Sequence, residues 1–541
     1  MGYLSKRGRQ DGYVDSEFHD TDKIPDVFYS SGGSVLAKCF AATTFFQPID
    51  PPRKTQVMVH RGLMCAAPEN TLPAFQAAIE AGFEWVETDI RLTRDGHYVL
   101  LHNDVVDGIT DGSGKVEEML LADLKKLDAG VRFAPSFKGT RVPTLREALE
   151  FCKGKINLYL DCKGRIDPET LVEEIQATGM ESQVIVFDDP DVLKEVKRIS
   201  KGGVPIMPSI NDRLEVKYWM DSLSPQAVEV HAELLTPELV RGFHEVGVIV
   251  QAQTLGERDC PEVWRRCFEM GVDWIQTDLG EEVLAEYVLF HTGAHFPVKI
   301  SSHRGANEFA PENTLPAYEK AAKLGVDFVE IDVHTTQDGE QVSIHDHTLE
   351  RTTNGTGAVS DIRFEDLRKL SAGAWFGAAY ADQKVPTIDE ICELLNEFET
   401  KTGRAVELYV DCKAPNLEKL ADILRKHRKL SGAVFYGSPD GLLLLRKYAP
   451  EAKLMPPMGS PSDLEPRAEK VKPYALDTRW SILSQELISN AHKKNIRIYS
   501  DAMGDNETIE RYREAIHWGI DTIQTDCIPR VLRAIELELL Y

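Results

Sequence analysis

The sequence predicts an α/β protein of two tandem (β/α)₈ TIM-type barrels with a short N-terminal extension. Three observations predict this fold class. A segment of about 240 residues occurs twice, too long a period for a solenoid. Each copy alternates short β-branched or aromatic runs with amphipathic helical stretches, which is typical of a parallel sheet. Each copy offers roughly eight strand candidates, which fits one barrel. A doubly wound open sheet is the alternative, but no glycine-rich dinucleotide fingerprint follows the first strand.

The repeat is visible in short motifs that recur at one constant offset. His60-Arg61-Gly62 returns as His303-Arg304-Gly305, and the run PENTLPA at 68–74 returns at 311–317. The join between the copies is short, so we expect them to pack together. The predicted domains are an extension over 1–51, a first barrel over 52–296 and a second barrel over 297–541.

The elements of the first copy follow from local patterns. Residues 71–81 carry alanines on one face and end before a glycine, which indicates a helix. β-Branched and aromatic runs predict the strands. The predicted strands are 57–59, 85–92, 158–161, 184–187, 205–207, 248–251 and 274–276.

Composition excludes several classes of protein. The 541 residues are 42 % hydrophobic and 28 % charged, and the net charge is −25. An acidic surface of that size repels nucleic acid and anionic lipid headgroups, so neither is a predicted partner. Since no apolar run reaches about 18 residues, we expect no stable membrane insertion. Nine cysteines without dense spacing do not indicate a disulfide framework, and we expect a cytoplasmic protein. A periplasmic or secreted protein whose true start is missing is the alternative.

Polar residues lie at the ends of strands that are otherwise made of core residues, where a barrel places its active-site mouth. In the first copy they are His60, Glu87, Asp89, His102, Asp161 and Lys163. Glu87 and Asp89 share one face of their strand. Adjacent carboxylates repel unless a cation lies between them, so they are candidate ligands for Mg²⁺ or Ca²⁺. Asp161 is a candidate third ligand, and Lys163 a fixed charge for an anionic substrate.

A hairpin connects one carboxylate to the second histidine. The dipeptide Asp95-Gly96 lies between two extended runs. If it forms the turn, Asp89 falls opposite His102, and the same count in the second copy places Asp332 opposite His345. Cross-strand neighbours lie about 5 Å apart, so each histidine should contact the carboxylates. A slip of one residue would turn its side chain to the other face.

Histidines, carboxylates and a lysine together suit phosphodiester cleavage. Imidazoles titrate near neutrality and can act as general acid and base. An oxygen-ligated divalent cation suits a phosphoryl oxygen better than a thiolate-rich zinc site would.

The motif set resembles that of the glycerophosphodiester phosphodiesterase family. His-Arg-Gly, Pro-Glu-Asn-Thr, Glu-x-Asp, Thr-x-x-Asp-Gly and a strand-end histidine occur in both copies. The resemblance covers most of the chain. It implies a TIM barrel that hydrolyses small-molecule glycerophosphodiesters to an alcohol and glycerol phosphate with a divalent metal, Mg²⁺ or Ca²⁺.

The resemblance also implies roles for individual residues. The catalytic histidines are His60, His102, His303 and His345, with acid and base left open. The metal ligands are Glu87, Asp89, Asp161, Glu330, Asp332 and Asp411. The substrate-binding residues are Arg61, Lys163, Arg304, Lys413 and Tyr499. The third family ligand is usually glutamate, so the aspartates at 161 and 411 leave the metal open.

The second copy is the closer match to the family. Arg351 of its His-Asp motif has become Gly108 in the first copy, and Gln251 stands where the second copy has Tyr499. We therefore expect the second barrel to be the stronger enzyme. Two alternatives remain: a first barrel that only binds substrate or acts as a scaffold, and a phospholipase-type activity on lipid phosphodiesters.

Overall fold

The computed structural model describes residues 44–212, 215–293 and 296–541. They form two nearly closed parallel barrels in tandem, as predicted. Most of the predicted N-terminal extension lies outside the described residues. Among the described helices, none is both long and apolar enough to cross a membrane. The eight cysteines of the described ranges are all free.

The first barrel is a ring of parallel strands with one antiparallel strand attached. Its strands are β1 (Gln56–Val59), β2 (Trp85–Leu92), β3 (Tyr98–Leu100), β4 (Asn157–Cys162), β5 (Val184–Phe187), β6 (Ser209–Ile210), β7 (Ala227–His231), β8 (Ile249–Gln253) and β9 (Trp274–Thr277). Its helices are α1 (Leu72–Glu80), α2 (Leu121–Leu124), α3 (Leu145–Cys152), α4 (Pro168–Thr178), α5 (Pro190–Ile199), α6 (Glu215–Ser222), α7 (Pro237–Glu245), α8 (Pro261–Met270) and α9 (Gly280–Thr292). The order around the ring is β5-β4-β2-β1-β9-β8-β7-β6, and β3 pairs only with β2.

The second barrel repeats this arrangement. Its strands are β10 (Lys299–Ser302), β11 (Phe328–Thr335), β12 (Gln341–Ser343), β13 (Glu407–Ala414), β14 (Val434–Tyr436), β15 (Lys453–Met455), β16 (Pro457–Met458), β17 (Ala475–Arg479), β18 (Arg497–Asp501) and β19 (Thr522–Thr525). Its helices are α10 (Leu315–Lys323), α11 (Phe364–Leu367), α12 (Ile388–Thr402), α13 (Leu417–Lys426), α14 (Pro439–Tyr448), α15 (Leu464–Val471), α16 (Gln485–His492), α17 (Ile509–Trp518) and α18 (Ile528–Leu540). The consecutive short strands β15 and β16 pair with β14 and β17 respectively and form the two ends of the strand order.

Most predicted strands of the first copy are confirmed, two of them, 85–92 and 184–187, with the same bounds. The prediction for 205–207 is wrong. Only an isolated bridge between Val186 and Ile206 forms there, and the strand follows at β6. The prolines at 205 and 208 explain the difference, because they have no N–H to donate to a ladder. Strand β7 was not predicted at all.

Aromatic side chains fill the N-terminal end of each barrel. In the first barrel Phe45 packs edge-on against Trp85 and Trp274, with ring centroids 5.1 and 5.4 Å apart. In the second, Phe328 and Tyr499 pack together with Tyr409 in one buried cluster. Because this end is sealed, the opposite, C-terminal end is the open mouth of each barrel.

The two barrels pack directly on each other through their last helices, α9 and α18. A fully buried ion network crosses this contact. The Arg53 guanidinium lies 2.8 Å from Glu84 of its own barrel and 3.1 Å from Glu536 of the second. Lys320 on α10 pairs with Glu281 and Glu282 on α9. The copies therefore form one compact body, as the short join predicts.

Candidate active sites

Each barrel carries three carboxylates on two adjacent strands. Glu87 and Asp89 come from β2 and Asp161 from β4, and Asp89 pairs in register with Asp161. One oxygen of each lies within 4.8 Å of the others. The corresponding cluster in the second barrel is Glu330, Asp332 and Asp411. The structure thus brings together all six residues expected as metal ligands, three in each barrel.

The chemistry of this cluster fits a divalent cation. Burial, together with the charges of Asp89 and Asp161, raises the pKa of Glu87 well above its ordinary value. Among the described residues, Oε1 of Glu87 and Oδ1 of Asp89 have no hydrogen-bond partner. Buried charges of one sign are costly unless a cation neutralises them. An all-oxygen donor set suits Mg²⁺ or Ca²⁺.

A lysine lies at the edge of each carboxylate cluster. The Lys163 ammonium is 2.6 Å from Asp161 and 3.4 Å from Asp89. Lys413 makes the equivalent contacts in the second barrel at 2.7 and 3.4 Å. The neighbouring carboxylates raise the pKa of Lys163 even though burial opposes them. The lysine therefore stays charged and can attract an anionic phosphoryl group.

The first histidine of each site is oriented by an aspartate from the last strand of the barrel. Nδ1 of His60 lies 2.6 Å from Oδ1 of Asp278, and Nδ1 of His303 lies 2.8 Å from Oδ1 of Asp526. A proton on Nδ1 satisfies this bond and leaves Nε2 unprotonated. Nε2 of His60 is 3.7 Å from Glu87, so it faces the carboxylate cluster. This geometry suits a group that takes a proton at Nε2.

The arginine that follows this histidine is held in a left-handed backbone conformation. Arg61 has φ 58° and Arg304 has φ 55°, values uncommon for residues other than glycine. In this conformation the Arg61 N–H donates to Glu87 at 2.8 Å. Its guanidinium lies 3.1 Å from Glu69 and 3.4 Å from Asp89. The strained turn thus places a cation beside the carboxylate cluster.

The predicted hairpin register is wrong by one residue. In the structure Ile90 pairs with Leu100, and the N–H of Leu101 donates to the carbonyl of Asp89. The turn has three residues instead of two, and it ends at Gly96 with φ 83°. Asp89 therefore lies opposite Leu101, not opposite His102. The second copy has the same shift, since Ile344 donates to the carbonyl of Asp332.

The second histidine nevertheless stays near the carboxylates. His102 and His345 follow the last residue of their strands by two positions, in a bend. The charges of Asp89, Arg61 and Lys163 all act on His102, whose pKa is lowered mainly by burial. The charge of His345 acts on Asp411. The bend after the strand thus compensates for the shifted register.

The two sites differ in what holds this second histidine. Nδ1 of His345 lies 2.7 Å from Oδ1 of Asp346, and Arg351 binds the other oxygen of Asp346 at 2.7 Å. Arg351 also binds Glu312, which in turn pairs with Arg304 at 2.8 Å. One chain of ion pairs therefore links the second histidine to the arginine of the site.

The first site has no such chain among its described residues. Nδ1 of His102 lies 3.1 Å from the amide oxygen of Asn103. Gly108 stands at the position of Arg351 and has no side chain to offer. A neutral amide stabilises a charged imidazole less than a carboxylate does.

Comparison with known proteins assigns both barrels to one family. A family model described as the glycerophosphoryl diester phosphodiesterase family matches residues 60–281 and 303–529. The chain belongs to this family. Its two matches coincide with the two barrels, so the family domain is present in duplicate and the protein is an enzyme of the phosphodiesterase class.

Several single-domain relatives resemble the chain over one barrel. A glycerophosphodiester phosphodiesterase of Caldanaerobacter subterraneus is 34 % identical over 243 residues, which cover 43 % of this chain and 97 % of the relative. One of Bacillus subtilis is 29 % identical over 254 residues, covering 42 % and 82 %. An Oleispira antarctica phosphodiesterase solved with sn-glycerol-3-phosphate is 25 % identical with a TM-score of 0.40, covering 44 % of this chain and 96 % of its own.

Within this phosphodiesterase chain, Tyr499 does not join the histidines and carboxylates. It is 1 % exposed and belongs to the aromatic cluster at the sealed end of the second barrel. Its ring centroid is 5.9 Å from that of Phe328, the first residue of β11. Gln251, its counterpart, bonds to Gln276 inside the first barrel. Among the described contacts, none joins either side chain to the histidines or carboxylates of its barrel.

Several polar residues of the phosphodiesterase sites were not assigned from the sequence. Asp278 and Asp526 orient the first histidines. Asn70 and Asn313 donate to Asp89 and Asp332 at 2.9 and 2.7 Å. The signal that could have found them is their unchanged recurrence, Gln-Thr-Asp at the end of both copies and Pro-Glu-Asn-Thr near the start.

Proposed function

We propose that the protein hydrolyses glycerophosphodiesters to an alcohol and glycerol phosphate, with a divalent metal and histidine acid–base catalysis. The observation that carries this proposal is the repeated constellation at each barrel mouth. A histidine fixed by an aspartate faces three buried carboxylates, beside an arginine and a lysine. These are the groups that phosphodiester cleavage needs.

Each residue has a distinct part in this proposal. Glu330, Asp332 and Asp411 hold Mg²⁺ or Ca²⁺ in the second barrel, and their counterparts do so in the first. When bound, such an ion neutralises charge on the phosphoryl oxygens. Arg304 and Lys413 attract and orient the phosphate. One histidine takes the proton of the attacking hydroxyl, and the other gives a proton to the leaving alcohol oxygen. The attacking group is water, or it is the substrate's own glycerol hydroxyl, which gives a cyclic phosphate that water then opens.

We propose the second barrel as the stronger catalyst. Its His345 is held by the Asp346 carboxylate, whereas the described hydrogen bond of the His102 ring is to the Asn103 amide. The first barrel keeps its histidines and carboxylates, so it acts as a weaker enzyme or, alternatively, as a substrate-binding module. The domain boundaries at 51/52 and 296/297 and a cytoplasmic location stay predictions.

Release of glycerol phosphate from glycerophosphocholine tests the proposal. Wild type, His102→Ala, His345→Ala and the double variant are assayed with Mg²⁺, with Ca²⁺ and with chelator. We expect loss on chelation, a large loss in His345→Ala and complete loss in the double variant. Unchanged activity in the double variant would refute histidine catalysis at these sites.

A substrate panel separates the alternatives. A lysophospholipid tests the phospholipase-type activity, and a set of other glycerophosphodiesters tests the headgroup. Cleavage of the lipid alone would favour the phospholipase-type reading. No cleavage of any diester with either metal would overturn the catalytic proposal.

A further inference from the structure

A second acidic group lies inside the second barrel, apart from the three carboxylates proposed as metal ligands. Asp477 on β17 and Asp501 on β18 stand on neighbouring strands, two register positions apart, and the charge of Asp501 acts on Asp477. Tyr409 on β13 lies beside them, because its ring centroid is 6.5 Å from that of Tyr499, the residue opposite Asp477 in the register of β17 and β18. This group is called the inner acidic site below.

Two carboxylate oxygens of the inner acidic site are buried without a hydrogen-bond partner among the described residues. Asp477 is 8 % exposed, and in the described part of the chain its Oδ1 has no hydrogen-bond partner. Oδ1 of Asp501 is buried and equally without one there. Two unpaired carboxylate oxygens inside a barrel are costly unless a donor, best a charged one, occupies the space between them.

The first barrel has different residues at the positions of Asp477 and Asp501. Glu229 corresponds to Asp477, and its longer side chain accepts a hydrogen bond from Tyr159 at 3.1 Å. No such bond joins Tyr409 to Asp477 among the described contacts. Gln253 is neutral where the second barrel has Asp501. The first barrel therefore has one satisfied carboxyl group where the second has two open carboxylates.

The inner acidic site lies near the residues proposed for the chemistry. Asp501 is the last residue of β18, and only β19 separates this strand from β10, after which His303 follows. The charges of His303 and Lys413 accordingly act on Asp501. A substrate whose phosphate lies between His303 and Lys413 can therefore direct the rest of the molecule towards Asp501.

We propose that Asp477 and Asp501 bind the primary ammonium group of an amino-alcohol headgroup. The inference rests on the proposed function and names the substrate class of the second barrel. A primary ammonium carries three donors and a positive charge, which match the two open carboxylate oxygens. A quaternary ammonium lacks N–H donors, and a neutral polyol leaves the carboxylate charges uncompensated.

Selectivity between headgroups tests the inference. His102→Ala silences the first barrel, and kcat/KM is measured for glycerophosphoethanolamine, glycerophosphocholine and glycerophosphoglycerol. We expect ethanolamine to be the preferred headgroup. Asp501→Asn should lower the ethanolamine-to-glycerol ratio at least about tenfold, the size of a hydrogen bond to a charged group. Asp477→Asn should act in the same direction.

Two matched variants control the experiment. Asp505→Asn removes an exposed aspartate from the loop after β18 and should leave the ratio unchanged. Gln253→Asp, made in a His345→Ala background, adds a carboxylate to the first barrel and should raise its ethanolamine-to-glycerol ratio. This gain cannot arise from misfolding of an Asp501 variant.

The outcomes separate this inference from the proposed function. Turnover of the neutral diester with a ratio that Asp501→Asn does not change overturns the inference and leaves the function standing. Equal preference for choline and ethanolamine also overturns it. If no diester is cleaved, calorimetric binding of glycerophosphoethanolamine decides. At least tenfold weaker binding in Asp501→Asn supports the inner acidic site, and equal binding refutes it.

Discussion

Nδ1 of His345 lies 2.7 Å from the carboxylate of Asp346, in a pair that has no charged equivalent in the first barrel. There the partner of His102 is the amide of Asn103, at 3.1 Å. The two copies share their carboxylates, arginine, lysine and histidines. Beside the second histidine they differ, because the second barrel has Asp346 where the first has Asn103. This exchange is a direct way to tune one barrel against the other.

Exchanging these two residues should exchange the activities in part. In a His102→Ala background, Asp346→Asn should lower kcat at least about tenfold, because an imidazolium loses its carboxylate partner. In a His345→Ala background, Asn103→Asp should raise kcat. Steady-state assays of glycerol phosphate release check both changes. A kcat that neither substitution alters would exclude a role for this pair in turnover.

Asp526, which bonds to the first histidine of the second barrel, should be as important for turnover as Asp346. Asp526→Asn should lower kcat at least about tenfold, since an amide no longer favours the proton on Nδ1 of His303. Asp521→Asn is the matched control, because Asp521 pairs with His492 at 2.7 Å, a contact away from the site. Equal losses in both variants would indicate a general effect on stability instead.

Metal binding should be measurable without turnover. Burial and the charges of Asp332 and Asp411 raise the pKa of Glu330 well above its ordinary value, so the metal-free cluster is strained. Mg²⁺ or Ca²⁺ at 100 times its Kd should stabilise the folded state by about 2.7 kcal/mol per site. Glu330→Gln should raise the melting temperature in chelator and remove the second barrel's metal-dependent increase. Thermal unfolding is therefore measured in a variant that carries both Glu330→Gln and Glu87→Gln. A full metal-dependent increase of the melting temperature in that variant would contradict the assignment of these residues as metal ligands.

The buried contact between the barrels should be costly to break on one side. Arg53→Met leaves Glu84 and Glu536 buried without their cation, and all three side chains are 0 % exposed. We expect a loss of about 3–5 kcal/mol in the free energy of unfolding, measured in urea. Lys126→Met removes an exposed pair with Asp123 and should cost less than about 1 kcal/mol. Similar losses in both would show that the network contributes little.

The ion chain around Arg351 should give a pH-dependent stability. Its hydrogen bonds hold the pKa of Asp346 well below the ordinary value, and they lower that of Glu312 although burial opposes them. A carboxyl group with a lowered folded pKa stabilises the protein above its unfolded pKa, about 4. Arg351→Ala should therefore destabilise the protein at pH 7, and the difference should shrink as the pH falls below about 4. A difference that is constant from pH 7 to pH 3 would contradict this account.

Some features of the site were predictable because they depend on local pattern alone. Glu87 and Asp89 share a face of a strand whatever the surrounding fold is, and a strand ending in a polar residue points it at a barrel mouth. The sequence predicts the hairpin correctly as an element, but it predicts a pairing register that is wrong by one residue. Its three-residue turn ends at Gly96 in a left-handed conformation, and an Asp-Gly pair is compatible with turns of either length.

The sequence by itself determined the duplication, the barrel class, and the carboxylates, histidines, arginine and lysine of each site. These follow from short-range periodicity and from the recurrence of motifs. Only the tertiary structure decided that Asp278 orients His60, that Tyr499 lies at the sealed end, and that Asp477 and Asp501 lie on neighbouring strands. Closure of the ring pairs β9 with β1, which brings together residues 218 positions apart, and depth inside a barrel depends on strand stagger. Neither the closure of the ring nor the stagger of its strands can be predicted from a local run of residues.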